Sequence, residues 1–218
     1  AMISIERSVP SGPQRRLPGA MPAAPTRRMA SGAIGSLVAD YPLQLYPPGD
    51  PRMTRTADYL RDHSSHAGGF FQHMIHSGIN AYLTLHLAQV RLRAGDPAAA
   101  WELMDCVAQL ASPTGQWPEA IHPRTGGGCM GDGQHGWAAA EWALMIRNCF
   151  VREEGDGLVI AAGVRPEWWQ GAPATLGPLL TPFGPVSVQV GGTADGAEVR
   201  VTGRWRGGAP RLSIRVPG

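Results

Sequence analysis

Three consecutive residues, Gly95-Asp96-Pro97, restrict the folding of this chain more than any other stretch. Glycine just past an apolar-periodic run takes the left-handed position that ends a helix. Asp then accepts hydrogen bonds from the free N–H groups of a following helix, and proline fits that helix's first turn. A helix, a one-residue stop and a second helix make an αα-hairpin. Upstream, Ile79, Leu83, Leu87 and Val90 line one helical face, and Tyr82, Leu85, Ala88 and Leu92 widen it. That spacing predicts a helix over residues 76–94. Its partner runs over residues 97–111, up to Ser112-Pro113.

Three further helices follow from the same reasoning. Residues 31–41 are short and apolar, with Ser31 as a candidate cap and Pro42 as the stop. Residues 53–62 carry Met53, Ala57 and Leu60 at helical spacing. Residues 134–150 are apolar on nearly every face, which predicts a buried helix. Residues 63–72, with Gly68 and Gly69, read as a polar loop. Past Phe150 the grammar changes. Leu158-Val159-Ile160 is a short strand, followed by a Pro- and Trp-bearing loop over residues 163–169. Residues 185–190, 198–205 and 211–216 then alternate with period two, with turn signals at Gly191-Gly192 and Gly207-Gly208. The expected organisation is an extended Pro/Arg-rich arm over residues 1–30, helical hairpins over 31–150 and a C-terminal β-module over 151–218. Buried helices need neighbours on both sides, so the array is read as incomplete.

Composition limits the function classes. The chain has 218 residues, 43% hydrophobic and 17% charged, which describes a globular protein. The formal net charge is +2, with no basic run interleaved with aromatics, so nucleic acid is not an expected partner. No stretch approaches the ~20 apolar residues of a membrane helix, and no membrane partner is expected. Three Cys, an odd count at irregular spacing, fit a reduced, cytoplasmic setting better than a disulfide framework.

The candidate site lies between Gly115 and Trp142. Glu119, flanked by Trp117-Pro118 and Ala120-Ile121, is the strongest candidate for chemistry, because partial desolvation tunes a carboxylate. A glycine-rich turn (Gly126-Gly127-Gly128) leads through Gly131-Asp132-Gly133 to Gln134, His135 and Trp137 at the amino end of a helix. Free backbone N–H donors, a carboxylate, two Trp and a His there read as a pocket for a polar, ring-shaped ligand. Asp132 binds hydroxyls or caps the helix. Core packing is the default for these Trp residues, and Trp117 is the one preferred for stacking on a ring, because function concentrates in loops. Glu141, mid-helix, needs a partner, either a structural hydrogen bond or an Arg pair with Arg147 or Arg152. The pairs His63/His66 and His73/His76 have H-x-x-H spacing, but no carboxylate or Cys completes a four-ligand set. No metal and no cofactor are expected. Cys129, six residues before His135, is a weak candidate for thiol chemistry.

With these residues in view, the chain resembles the last inner hairpin of six-hairpin glycosidases, the glucoamylase and amylo-α-1,6-glucosidase (glycogen-debranching) group. The resemblance rests on Ser112-Pro-Thr-Gly-Gln-Trp-Pro-Glu119, Gly128-Cys129, Gln134-His-Gly-Trp137 and Ala140-Glu141-Trp142. Gly68-Gly69-Phe70 and His76-Ser77-Gly78-Ile79-Asn80-Ala81-Tyr82 are similar to that group's loop and inner-helix start. It implies a mainly α fold, the αα-hairpins of an incomplete (α/α)6 toroid followed by a small antiparallel β-module. It also implies a glycoside hydrolase acting on an α-linked glucan or oligosaccharide by inversion. Glu119 would be the general base, and Trp117, Asp132, Gln134, His135, Trp137, His76 and Asn80 would contact the carbohydrate. The general acid would stand outside this chain, supplied by the rest of a longer parent enzyme or by a second chain, including a second copy of this one. The alternatives are a glycoside phosphorylase of the same fold and a non-catalytic carbohydrate-binding or assembly subunit.

Overall fold

The computed structural model describes residues 29–73, 77–194 and 196–217. The arm expected over residues 1–30 lies outside them except for residues 29 and 30, and His76 lies outside as well. The described residues form six α-helices and three small sheets, a mixed α/β structure rather than the mainly α one expected. They fall into two units divided after Trp142.

The first unit contains α1 (Met29–Ser36), a 3-10 turn (Leu37–Ala39), α2 (Pro51–His63), α3 (Ala81–Arg93) and α4 (Pro97–Gln109). It also holds a five-stranded sheet in the order β1 (Ser65–His66), β2 (Gly69–Gln72), β3 (Gly78–Ile79), β4 (Ala120–Ile121) and β5 (Gly128–Met130). The hairpin joint behaves as its chemistry dictates. Gly95 has φ +82°, and the Asp96 carboxylate accepts from the Ala99 N–H at 3.1 Å. Asp50 does the same for α2, accepting from the Arg52 N–H at 2.9 Å. Helix α1 begins before Ser31, so Ser31 is not its cap. Helix α3 begins five residues later than the periodicity suggested, because Asn80 caps it by accepting from the Leu83 N–H at 3.0 Å. The polar loop expected over 63–72 is instead the β1–β2 hairpin.

Apolar faces of α1, α2 and α3 meet in one core, where Leu37, Met53 and Leu60 have no exposed surface. Thr84 ties the sheet to this core: its hydroxyl accepts from the Phe70 N–H at 2.9 Å and donates to the Asn80 carbonyl at 2.7 Å. Arg93, 1% exposed, donates to the Asp40 carboxylate at 2.5 Å, the Asp40 carbonyl at 2.6 Å and the Tyr46 carbonyl at 3.3 Å. This buried cation fixes the chain that follows α1 against the end of α3.

Helix α5 (Gly136–Phe150) crosses the division between the units. Its uniformly apolar sequence predicted burial on every side, and that expectation is overturned. Ala138 and Met145 are buried, but Trp137 is 66% and Leu144 42% exposed. Ala139, Ala140 and Ala143 are exposed too. An alanine-rich surface carries no mark of which face has neighbours.

In the second unit, β6 (Val151–Glu154) and β7 (Gly157–Ile160) form a hairpin after α5. A one-turn helix, α6 (Pro166–Trp169), occupies the expected Trp-bearing loop. Strands β8 (Ala174–Thr181), β9 (Gly184–Thr193) and β10 (Gly196–Gly203) make an antiparallel sheet. Strand β9 shows the period-two burial read from sequence: Val186, Val188 and Val190 have no exposed surface. The module is not wholly antiparallel, because β11 (Arg211–Ile214) pairs with β7 in parallel register. Cys149 is packed so tightly that a Cβ on Gly163 would lie 2.7 Å from its Sγ, a contact only glycine allows.

Candidate functional site

Backbone pairing delivers Glu119 to its position. Ile79 pairs with Ile121, and Ala120 with Met130, so the residue before β4 is held by strands on both sides. The loop turns back closely at Gly131, where φ is +79° and an added Cβ would lie 3.1 Å from the Glu119 nitrogen. The His135 N–H donates to the Trp117 carbonyl at 2.8 Å, which ties the start of α5 to the loop carrying Glu119. Glu119 itself is half-buried.

An array of rings stands beside it. Tyr82, on the first turn of α3, has its ring centroid 5.5 Å from His135, 5.4 Å from Trp137 and 5.8 Å from His86. Burial, and after it the Glu119 charge, holds the Tyr82 phenol above its ordinary range, so it remains a hydroxyl donor at neutral pH. Trp137 offers a solvent-facing aromatic surface. His135 is half-buried, and its Nδ1 is buried without a hydrogen-bond partner among the described residues.

The remaining sequence candidates are placed differently. Trp117 is 5% exposed; its indole N–H donates to the Val107 carbonyl at 2.8 Å and its ring meets Trp142 at 5.7 Å. A ring so enclosed has no open face for a sugar, so it supports the loop instead. Asp132 is exposed and accepts from the Gln134 N–H at 3.0 Å, a turn before α5 rather than a cap on it. Gln134 is exposed. Asn80 is fully buried, capping α3 and donating to the Gln72 side chain at 3.3 Å. Among the described residues no cluster of three metal-ligating side chains occurs. Cys129 is half-buried and donates to the Ser77 carbonyl at 3.2 Å.

Of the two partners expected for Glu141, a structural hydrogen bond or an Arg pair, the structure has the hydrogen bond, from a residue the sequence did not single out. The Glu141 carboxylate is 8% exposed and accepts from the Gln89 amide at 3.1 Å, with His86 Nε2 at 3.6 Å. Arg147 pairs with Glu153, and Arg152 with Glu154, so neither supplies the expected ion pair. His86 Nδ1 is buried without a partner among the described residues, while the rings of Tyr41 and Tyr82 stand at 80° and 89° to its own. The i, i+3 spacing of His86 and Gln89 on α3 was the available signal.

These groups can bind a ring by stacking, offer hydroxyl and imidazole hydrogen bonds, and hold one carboxylate at the edge of the array. No family model matches the chain, and no curated protein does. Among solved structures, a wild-type glycosidase matches at 22% identity and a TM-score of 0.39, over 51% of this chain. The match spans 29% of that glycosidase. A score at that level carries no argument about shared fold or activity.

Proposed function

We propose that the chain is the C-terminal portion of a glycoside hydrolase that cleaves an α-linked glucan or oligosaccharide by inversion, with Glu119 as the general base. One observation carries the reading: a half-buried carboxylate whose charge acts on Tyr82, within an aromatic array that opens to solvent at Trp137. Sugar rings present apolar C–H faces to aromatic planes and hydroxyls to the surrounding polar groups, and the array supplies both kinds of contact. In the reaction, ionised Glu119 takes a proton from a water as its oxygen attacks the anomeric carbon. The bond to the leaving oxygen breaks, and a carboxylic acid ~6.5–9.5 Å away returns a proton to it. That acid, and the helices completing an (α/α)6 toroid, come from the rest of a parent enzyme or from a second chain. The exposed apolar residues Ala140 and Leu144 support such a cover, since a large apolar side chain left in water forfeits ~1.5–3 kcal/mol of burial.

The test is Glu119→Gln in the parent enzyme. It should lower kcat by about 10²–10⁴-fold while the melting temperature holds. Near-normal turnover would end the proposal. A phosphorylase of this fold would instead show turnover dependent on phosphate and would not need Glu119 as a base.

A further inference from the structure

In the second unit, the sheet order β10-β9-β8 leaves β8 and β10 as its two edges. An open edge carries a row of N–H and C=O groups able to pair with another strand. The two edges differ. Strand β8 contains Pro178, which has no N–H, and its register with β9 shifts between Leu176 and Leu179. Strand β10 has neither interruption: its register with β9 is unbroken from Gly196 opposite Thr193 to Gly203 opposite Val186. One step further along, the Arg204 N–H donates to the Pro185 carbonyl at 2.9 Å. Bonded and non-bonded pairs alternate along an antiparallel ladder. Glu198, Arg200 and Thr202 therefore turn their backbone groups to β9, and Ala197, Val199 and Val201 turn theirs to the open edge.

The side chains alternate as well. Val199 and Val201 are half-buried and lie opposite Val190 and Val188, which have no exposed surface, so they form the rim of the buried face. Glu198 and Arg200 stand on the other face, 61% and 64% exposed in their side chains and 3.3 Å apart. Charged residues on an edge turn away most strands. These two have opposite signs and flank Val199 symmetrically. A second β10 laid antiparallel, about a two-fold axis at Val199, sets each Glu198 against Arg200 of the other copy. Val199 then meets Val199 in a pair whose backbone groups already face outward, and Ala197 meets Val201. The strand that fits this edge is the same strand reversed, which is the condition for an isologous interface.

We propose that two copies of this chain pair through β10, edge to edge and antiparallel about Val199, joining their β8–β9–β10 sheets into one. The proposal does not depend on the glycosidase reading. An interface one strand wide is small, so the dimer is weak and reversible. Sedimentation equilibrium of the 218-residue chain, from about 1 μM to about 300 μM, should show a monomer passing to a dimer. Glu198→Arg and Arg200→Glu each place like charges opposite one another on both sides of the axis. Each should weaken self-association about tenfold or more. Mixed in equal amounts, the two variants should associate as the wild type does, because every introduced charge then faces its opposite. Val199→Pro removes an N–H that β9 does not use and should leave a monomer with the wild-type far-UV circular dichroism spectrum. The two charge changes lie on exposed side chains, so they keep the test open if the proline variant does not fold. A monomer throughout this range, or a dimer that both charge variants leave intact, would overturn the proposal. So would charge variants that stay apart when mixed, or a dimer kept by folded Val199→Pro.

Discussion

Replacing Arg93 with Met probes the most buried charge in the first unit. Methionine preserves much of the apolar stem but removes every donor, so the Asp40 carboxylate and the Asp40 and Tyr46 carbonyls lose this partner at once. Both side chains of the ion pair are 1% exposed, which keeps water from replacing the guanidinium. Breaking a buried pair from one side costs about 3–5 kcal/mol, because the remaining charge stays desolvated. Against a typical domain stability of ~5–15 kcal/mol, that is a third or more of the whole. Urea titration followed by far-UV circular dichroism measures the loss, with the slope unchanged if the denatured state is the same. Removing the Asp40 charge as well, in Asp40→Asn/Arg93→Met, should recover part of the loss. It should not recover all of it, since the Tyr46 carbonyl still lacks the Arg93 donor, at about 1–3 kcal/mol. A single variant within about 1 kcal/mol of wild type, or a double variant no better than the single, would refute the argument.

Two further outcomes follow from buried groups. Burial pushes the Cys149 thiol up from its ordinary 9.0 to about 12, against the smaller opposing pull of Arg165 and Arg152. Its folded value is raised, so the stability it contributes is complete below pH 9 and is lost as pH climbs towards 12, on the order of 4 kcal/mol in all. Cys149→Ala should therefore flatten the alkaline fall in urea midpoint, and parallel curves for the two proteins would contradict this. Trp117→Phe removes the 2.8 Å bond to the Val107 carbonyl and should cost about 1–3 kcal/mol in thermal or urea unfolding. Because the ring is enclosed, oligosaccharide affinity should be retained, and weakened binding at unchanged stability would show that Trp117 meets the ligand.

What could be read from sequence was local chemistry. The joint at Gly95-Asp96-Pro97 was legible because stop, cap and first-turn proline each act on adjacent backbone. The alternation over Val186, Val188 and Val190 was legible because one buried face imposes period two. The first sheet was not, since Gly78–Ile79 and Ala120–Ile121 are too short to show any period. The start of α3 was misjudged because apolar spacing runs on through β3, although an Asn at position 80 was a readable cap. At the site, the loop bearing Glu119 was found, but Tyr82 and His86 were not singled out, because their relation to it is made by tertiary packing. Glu141 was assigned neighbours in sequence, whereas its hydrogen-bond donor, Gln89, lies 52 positions away.

The parallel pairing of β11 with β7 has a consequence for synthesis. Strand β6 leaves the ribosome just before β7, so that hairpin can close at once. The other edge of β7 waits for residues 211–214, with three strands made in between. During that interval Leu158 and Ile160 belong to a strand with unpaired backbone groups on one side, a template for pairing with another nascent chain. The second unit is thus most exposed to aggregation on the ribosome, and a chaperone that binds extended apolar strands would act there before the last strand arrives.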